Sequence, residues 1–171
     1  LWADEKVQLV ARFGERIQIQ NDIYPAFADC GVRSKPSSKL MKFIMVKYGF
    51  DWSAYKHARI IRPSGSLSDT LIYSNPKIEP VSKDLAVKEE SSLRTWFDKA
   101  GILISHPLKG SDCKMAVAMK GGHNAEHHNH NDVGSYVIVV GNELLVADPG
   151  GEVYTSRTFS SKRYDSNVLN S

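Results

Sequence analysis

Four of the six histidines in this 171-residue chain fall within eight residues, at His123, His127, His128 and His130. They belong to the run Gly121-Gly122-His123-Asn124-Ala125-Glu126-His127-His128-Asn129-His130-Asn131-Asp132-Val133-Gly134-Ser135. Neutral imidazole is a common metal ligand and the usual proton carrier near neutral pH, so this density points to metal binding or proton transfer. Residues i and i+2 on an extended segment point to the same side, which lets His128 and His130 share one site. Asp148 follows His130 by 148 − 130 = 18 residues, with room for one hairpin between them. That hairpin can return the carboxylate beside the imidazole, and a His–Asp pair with one further ligand makes a zinc site. Glu126 is a candidate outer carboxylate orienting an imidazole, although an exposed loop glutamate is the commoner case.

The competing reading is a polar surface turn, because alternating His and Asn is not a metal motif by itself. A rival from another class is the cupin barrel, which places two His at this spacing on a strand. Its pattern continues with Glu four or five positions after the second His, and here those positions hold Gly134 and Ser135.

The elements that must position this run lie on both sides of it. Gly101–Ser105 and Lys114–Lys120 are expected strands before it. Tyr136–Val140 and Leu144–Ala147 follow, flanking Gly141-Asn142, a dipeptide suited to a tight hairpin that Glu143 would lengthen if it joined the loop. Asp148-Pro149-Gly150-Gly151 makes a second sharp turn. Short strands with turns at this spacing suggest an antiparallel sandwich, and the strands present are too few to complete one. The first 60 residues read instead as helices. In Ser37–Tyr48 the residues Leu40, Ile44 and Tyr48 repeat at i, i+4, i+8 while Lys39, Lys42 and Lys47 take other faces, which predicts an amphipathic helix. Pro36 suits its first turn and Gly49 its end. An earlier helix is expected from Asp4 to about Phe13, and a short one over Ser53–Arg59. Residues 61–90, punctuated by Pro63, Gly65, Pro76 and Pro80, read as a connection with one short strand at Thr70–Tyr73. The expected fold class is α+β, divided into a helical segment with linker over 1–85 and a strand-rich segment over 86–171.

Composition is that of an ordinary globular chain, 42% hydrophobic and 24% charged. No apolar run approaches the roughly 18 to 20 residues of a membrane span. Leu1-Trp2-Ala3-Asp4 lacks the basic start and apolar stretch of a signal peptide, and the first residue is not Met, so an internal piece of a longer protein is expected. Cys30 and Cys113 fit no metal or redox spacing; two buried or free thiols are expected, with a single disulfide as the alternative. The formal charge of +3 is uneven. Between Arg33 and Arg62 the residues Arg33, Lys35, Lys39, Lys42, Lys47, Lys56, Arg59 and Arg62 face only Asp51. Such a run steers polyanions, although a solvated helix face is the plainer account. Nothing accompanies it that would suggest nucleic-acid binding.

The block His-Asn-His-Asn-Asp-Val-Gly-Ser-Tyr (128–136), followed by Asp148-Pro149-Gly150, Tyr154, Phe159-Ser160, Arg163-Tyr164 and Asn170-Ser171, resembles the heparinase II/III-like polysaccharide lyases of bacteria. Trp96-Phe97-Asp98-Lys99-Ala100-Gly101 is similar to the opening of their sandwich domain. The resemblance covers roughly residues 95–171, while residues 1–85 match only by position and helical character. It implies the C-terminal helices of an α/α toroid followed by an incomplete antiparallel β-sandwich. It also implies β-elimination on acidic, uronic-acid-containing glycans by a periplasmic or secreted parent protein. Under it His128 lines the catalytic cleft, Tyr154 and Arg163 are candidate substrate contacts, and His130 and Asp148 bind a structural zinc ion. The family's third zinc ligand follows the Asn-Ser motif, past Ser171, and its catalytic Tyr and carboxylate-handling Asn or His belong to the toroid, upstream of Leu1. The 171 residues alone are then expected to be inactive. A cupin-like metal enzyme and a non-catalytic glycan-binding or structural sandwich are the alternatives. The sequence leaves the oligomeric state open.

Overall fold

A computed structural model describes residues 2–51, 53–57, 93–123, 125, 130–151 and 153–162. The chain divides into two compact units, Leu1–Arg16 with Pro36–Glu90, and Ile17–Lys35 with Ser91–Ser171. The division departs in one respect from a single break near residue 85: Ile17–Lys35 belongs with the strand-rich half. The architecture is α+β, with helices in the first unit and one antiparallel sheet in the second. Among the described residues no helix is long and apolar enough to cross a membrane.

The first unit holds helices α1 (Glu5–Ala11), α2 (Phe13–Arg16) and α3 (Ser38–Tyr48), then a 3-10 turn over Ser53–Tyr55. Asp4 starts α1 by accepting hydrogen bonds from the backbone N–H groups of Lys6 and Val7, which no carbonyl within the helix can satisfy. The helix expected over Asp4–Phe13 thus breaks at Arg12 into two short pieces. Helix α3 matches its expected span to within one residue and ends at Gly49, whose left-handed backbone closes the last turn. Phe43, Ile44 and Tyr48 form its buried stripe, with Trp2, Leu40 and Phe50 packed against them. Trp2 meets Phe43 and Tyr48 edge-on at 5.9 and 6.3 Å between ring centres. Arg12 is buried, stacking its guanidinium 4.2 Å from the Phe50 ring centre while Nε reaches Glu15 at 3.0 Å. The strand expected at Thr70–Tyr73 lies outside the described residues, as does the end of the helix expected over Ser53–Arg59.

Among the described residues the second unit is a five-stranded meander in the order β1 (Arg94–Phe97), β2 (Ile102–Ser105), β3 (Met115–Lys120), β4 (Tyr136–Val140) and β5 (Glu143–Val146). Strands β2 to β5 fall within a residue of expectation, and β1 comes in addition. Gly141-Asn142 closes β4 onto β5, and Glu143 pairs with Val140 instead of lengthening the loop. One face of the sheet is buried: Ile104, Ala116, Ala118, Val137 and Val139 pack with Ile17, Ile19, Tyr24 and Phe27 of the preceding segment. That segment is irregular. Its only regular feature among the described residues is a tight turn bridging Gln20 and Ile23, with Asn21 and Asp22 both at positive φ. Asn and Asp tolerate that left-handed backbone better than other residues with a side chain, which suits them to this turn. Gln20 and Asn21 then donate to the carbonyl of Gly141 at 2.6 and 2.9 Å, fastening the segment to the β4–β5 turn. On the opposite face the register aligns Trp96, Leu103, Met119 and Tyr136 in one row. Trp96, Met119 and Tyr136 in this row are about half exposed.

Candidate functional site

The histidine run leaves the sheet between β3 and β4, and its neck is pinned. Lys120 N–H donates to Ser135 O at 2.9 Å and Gly134 N–H to Lys120 O at 2.8 Å. The side chain of Lys120 is buried at this neck, donating to the carbonyls of Ala100 (3.0 Å) and Gly121 (3.2 Å). A buried ammonium needs such acceptors to offset its lost hydration. Gly121 N–H also donates to Gly101 O at 2.6 Å. A Cβ on Gly101 would lie 2.8 Å from the backbone of Gly121 and Gly122, so the turn after β1 approaches the loop this closely only with a glycine at 101.

The antiparallel register decides what faces the loop. Because Ile138 pairs with Val146, β5 carries the chain back to the end of the sheet from which the loop emerges. Asp148 follows two residues later and is buried, as are His130 and Asp132 at the loop's exit. The hairpin reading of the 18-residue spacing therefore brings His130 and Asp148 to one end of the sheet. Asp148 accepts from Gly150 N–H at 2.8 Å, which stiffens its own turn.

The segment Ala28–Gly31 lies against both pieces. Asp132 accepts from Ala28 N–H at 3.1 Å, and Asp29 Oδ1 sits 3.0 Å from Nε2 of His130. The hydroxyl of Tyr154 donates to the same oxygen at 2.8 Å. A Cβ on Gly151 would meet Ala28 O at 3.5 Å and the His130 ring at 3.9 Å, while one on Gly150 would strike Cys30 O at 2.5 Å. Four stretches of chain thus converge: 28–31, 130–132, 148–151 and Tyr154.

Tyr154 is half exposed, its ring edge-on to Phe159 and its hydroxyl committed to Asp29. His123 is exposed and accepts from Ala125 N–H through Nδ1. His128 and Arg163, the expected catalytic and substrate residues, lie outside the described residues, as do Glu126 and His127. Cys30 and Cys113 are free and exposed. Three residues that the sequence reading did not select are central to the arrangement. Asp132 carried a signal, since it stands two positions after His130 and shares its side of an extended segment. Lys120 and Asp29 carried none; Asp29 is 130 − 29 = 101 residues from its partner in sequence.

The expected zinc ligands can be tested against this geometry. An imidazole and a carboxylate, both buried at one sheet end, suit zinc in donor type. Among the described residues no group of three His, Cys, Asp or Glu side chains is placed to hold a metal ion. The described part accordingly offers two donors of the right kind and not a complete set. No protein-family model matches the chain, and no curated protein matches it in sequence.

Proposed function

We propose that the chain is part of a bacterial polysaccharide lyase, periplasmic or secreted, that cleaves uronic-acid-containing glycans by β-elimination, glycosaminoglycans ahead of alginate. The observation that carries the reading is the burial of His130 and Asp148 at one end of an antiparallel sheet, at the root of the histidine loop. The motif order over 128–171 that resembles the heparinase II/III-like family adds to it. In this reading the helical unit is the tail of an α/α toroid. Its support is an apolar groove lined by Val7, Val10, Phe13, Leu40 and Met41, a surface that further toroid helices would cover. The sheet is the first layer of a sandwich. Its support is the exposed row through Trp96, Met119 and Tyr136, an apolar face that a second sheet would bury. The cupin reading is disfavoured by Gly134 and Ser135, which stand where its pattern carries Glu.

β-Elimination removes the proton α to the uronate carboxyl and expels the oxygen at C4, leaving a double bond in the sugar. The step needs a base, an acid for the leaving oxygen, and polar groups that neutralise the carboxylate. His128 is the chain's own candidate for the cleft. His130 and Asp148 would hold a zinc ion that cross-links the loop to the turn after β5 and orients His128 indirectly. Tyr154 and Arg163 are the candidate substrate contacts, and the basic residues between Arg33 and Arg62 agree with an anionic substrate.

The test is ultraviolet absorbance of unsaturated uronate, using the longest natural form of the protein. Substrates are heparan sulfate, chondroitin sulfate, hyaluronan and alginate. Product from one of them is expected, with His128→Ala lowering turnover by about 100-fold or more at unchanged thermal stability. His130→Ala and Asp148→Ala should instead lower zinc content and stability. Full activity in His128→Ala would remove that residue from the mechanism. Silence with all four substrates from folded, zinc-loaded protein would overturn the lyase assignment for them.

A further inference from the structure

We infer that Asp29 is the positioning residue of His130: its carboxylate, which also accepts the Tyr154 hydroxyl, holds the imidazole in the tautomer that carries its proton on Nε2. Oδ1 of Asp29 lies 3.0 Å from His130 Nε2 and receives the Tyr154 hydroxyl at 2.8 Å. An ionised carboxylate only accepts, and one oxygen has lone pairs for two donors. A hydrogen bond across this 3.0 Å contact therefore needs a proton on Nε2. The imidazole side chain is 2% exposed and the carboxylate 53%. The ring consequently sits where a fixed partner counts most, while the half-exposed carboxylate keeps part of its hydration. The backbone reinforces the contact, since Ala28 N–H bonds Asp132 two residues beyond His130. The pair Ala28-Asp29 therefore grips the loop at two alternate residues on one side.

The chemical consequence follows from the ring itself. A neutral imidazole protonated on Nε2 has its lone pair on Nδ1. Metal-bound histidines commonly donate their other N–H to a carboxylate, which fixes the ring and raises its basicity. In the zinc reading Asp29 would fill that role for His130, leaving Nδ1 as the nitrogen that would bind a cation. This last step rests on the zinc reading above, whereas the tautomer does not.

The test is a long-range proton–nitrogen NMR spectrum of the nitrogen-labelled full chain at about pH 8, above the usual imidazole range. It reads protonated and lone-pair ring nitrogens separately and requires neither turnover nor metal. His130 is expected as a single tautomer with the proton on Nε2. Asp29→Ala should convert it to a mixture of both tautomers, and Tyr154→Phe should leave it unchanged because the acceptor remains. A wild-type His130 protonated mainly on Nδ1 overturns the inference, even if Asp29→Ala fails to fold. So does a folded Asp29→Ala protein with the wild-type tautomer. Because the spectrum reports the ring alone, failure of the lyase assignment leaves this result standing, and the reverse also holds.

Discussion

Tyr48 shows how one polar atom weighs on the helical unit. Its side chain is 2% exposed, and among the described residues its hydroxyl is buried with no hydrogen-bond partner. Such an atom loses water and gains nothing, a cost of about 1–3 kcal/mol. Tyr48→Phe should therefore be neutral or stabilising by up to about 1 kcal/mol in urea unfolding, and a clear loss of stability would show that the hydroxyl has a partner. Burial also pushes the Tyr48 hydroxyl above its ordinary value. Its neutral form is favoured in the fold, so the associated stability is complete below the unfolded value and is lost as pH rises through the folded one. The alkaline fall in stability should be shallower in Tyr48→Phe. Asp51 shifts the other way, lowered first by the backbone N–H of Ser53 and then by its hydroxyl. Ser53→Ala removes only the second, and an NMR titration should find the Asp51 carboxyl partly returned towards the usual range. Gly150 and Gly134 form a matched pair for the site. Both have positive φ, but a Cβ on Gly150 meets Cys30 O at 2.5 Å while one on Gly134 meets nothing within 4 Å. Gly134→Ala carries backbone strain alone, on the order of 1 kcal/mol. Gly150→Ala must add displacement of the 28–31 segment, and thermal melts that rank the two equally would contradict the close approach.

At the scale of elements, legibility followed periodicity. Helix α3 and strands β2, β3 and β4 were readable because Leu40, Ile44 and Tyr48 repeat at helical spacing and the strands are short apolar runs bounded by turns. The irregular segment Ile17–Lys35 was not, because nothing local distinguishes Ile17, Ile19, Tyr24 and Phe27 from residues of a helix. Only the sheet face they cover makes them core. Ile19 is fully buried there, so Ile19→Ala should destabilise the second unit by about 2–5 kcal/mol. A change below about 1 kcal/mol would mean that the segment does not pack on the sheet. Strand β5 is the opposite case. Leu144, Leu145 and Val146 are all exposed, and the register slips between Ile138 and Val139. An edge strand with a bulge is expected to open more readily than its neighbours. Amide exchange in Glu143–Val146 should be faster than in Met115–Lys120, and equal protection of both would imply that β5 is covered.

For the molecule as a whole, the α+β composition, a helix ending at Tyr48, the strands around the histidine run and the return of Asp148 to the end of the sheet where His130 lies were legible without the fold. Each of these rests on information that is local or spans one hairpin: a repeat, a turn dipeptide, an i, i+2 spacing, or two antiparallel strands that return the chain to its starting end. The tertiary structure alone decided that residues 17–35 fold with the sheet, that Lys120 seals the loop's neck, and that Asp29 reaches His130 across 101 positions of sequence. Those contacts join segments whose separation leaves no periodic trace. They form because an apolar sheet face must be covered, and covering it with Ile19, Tyr24 and Phe27 carries the following residues, Ala28 and Asp29, to the foot of the histidine loop.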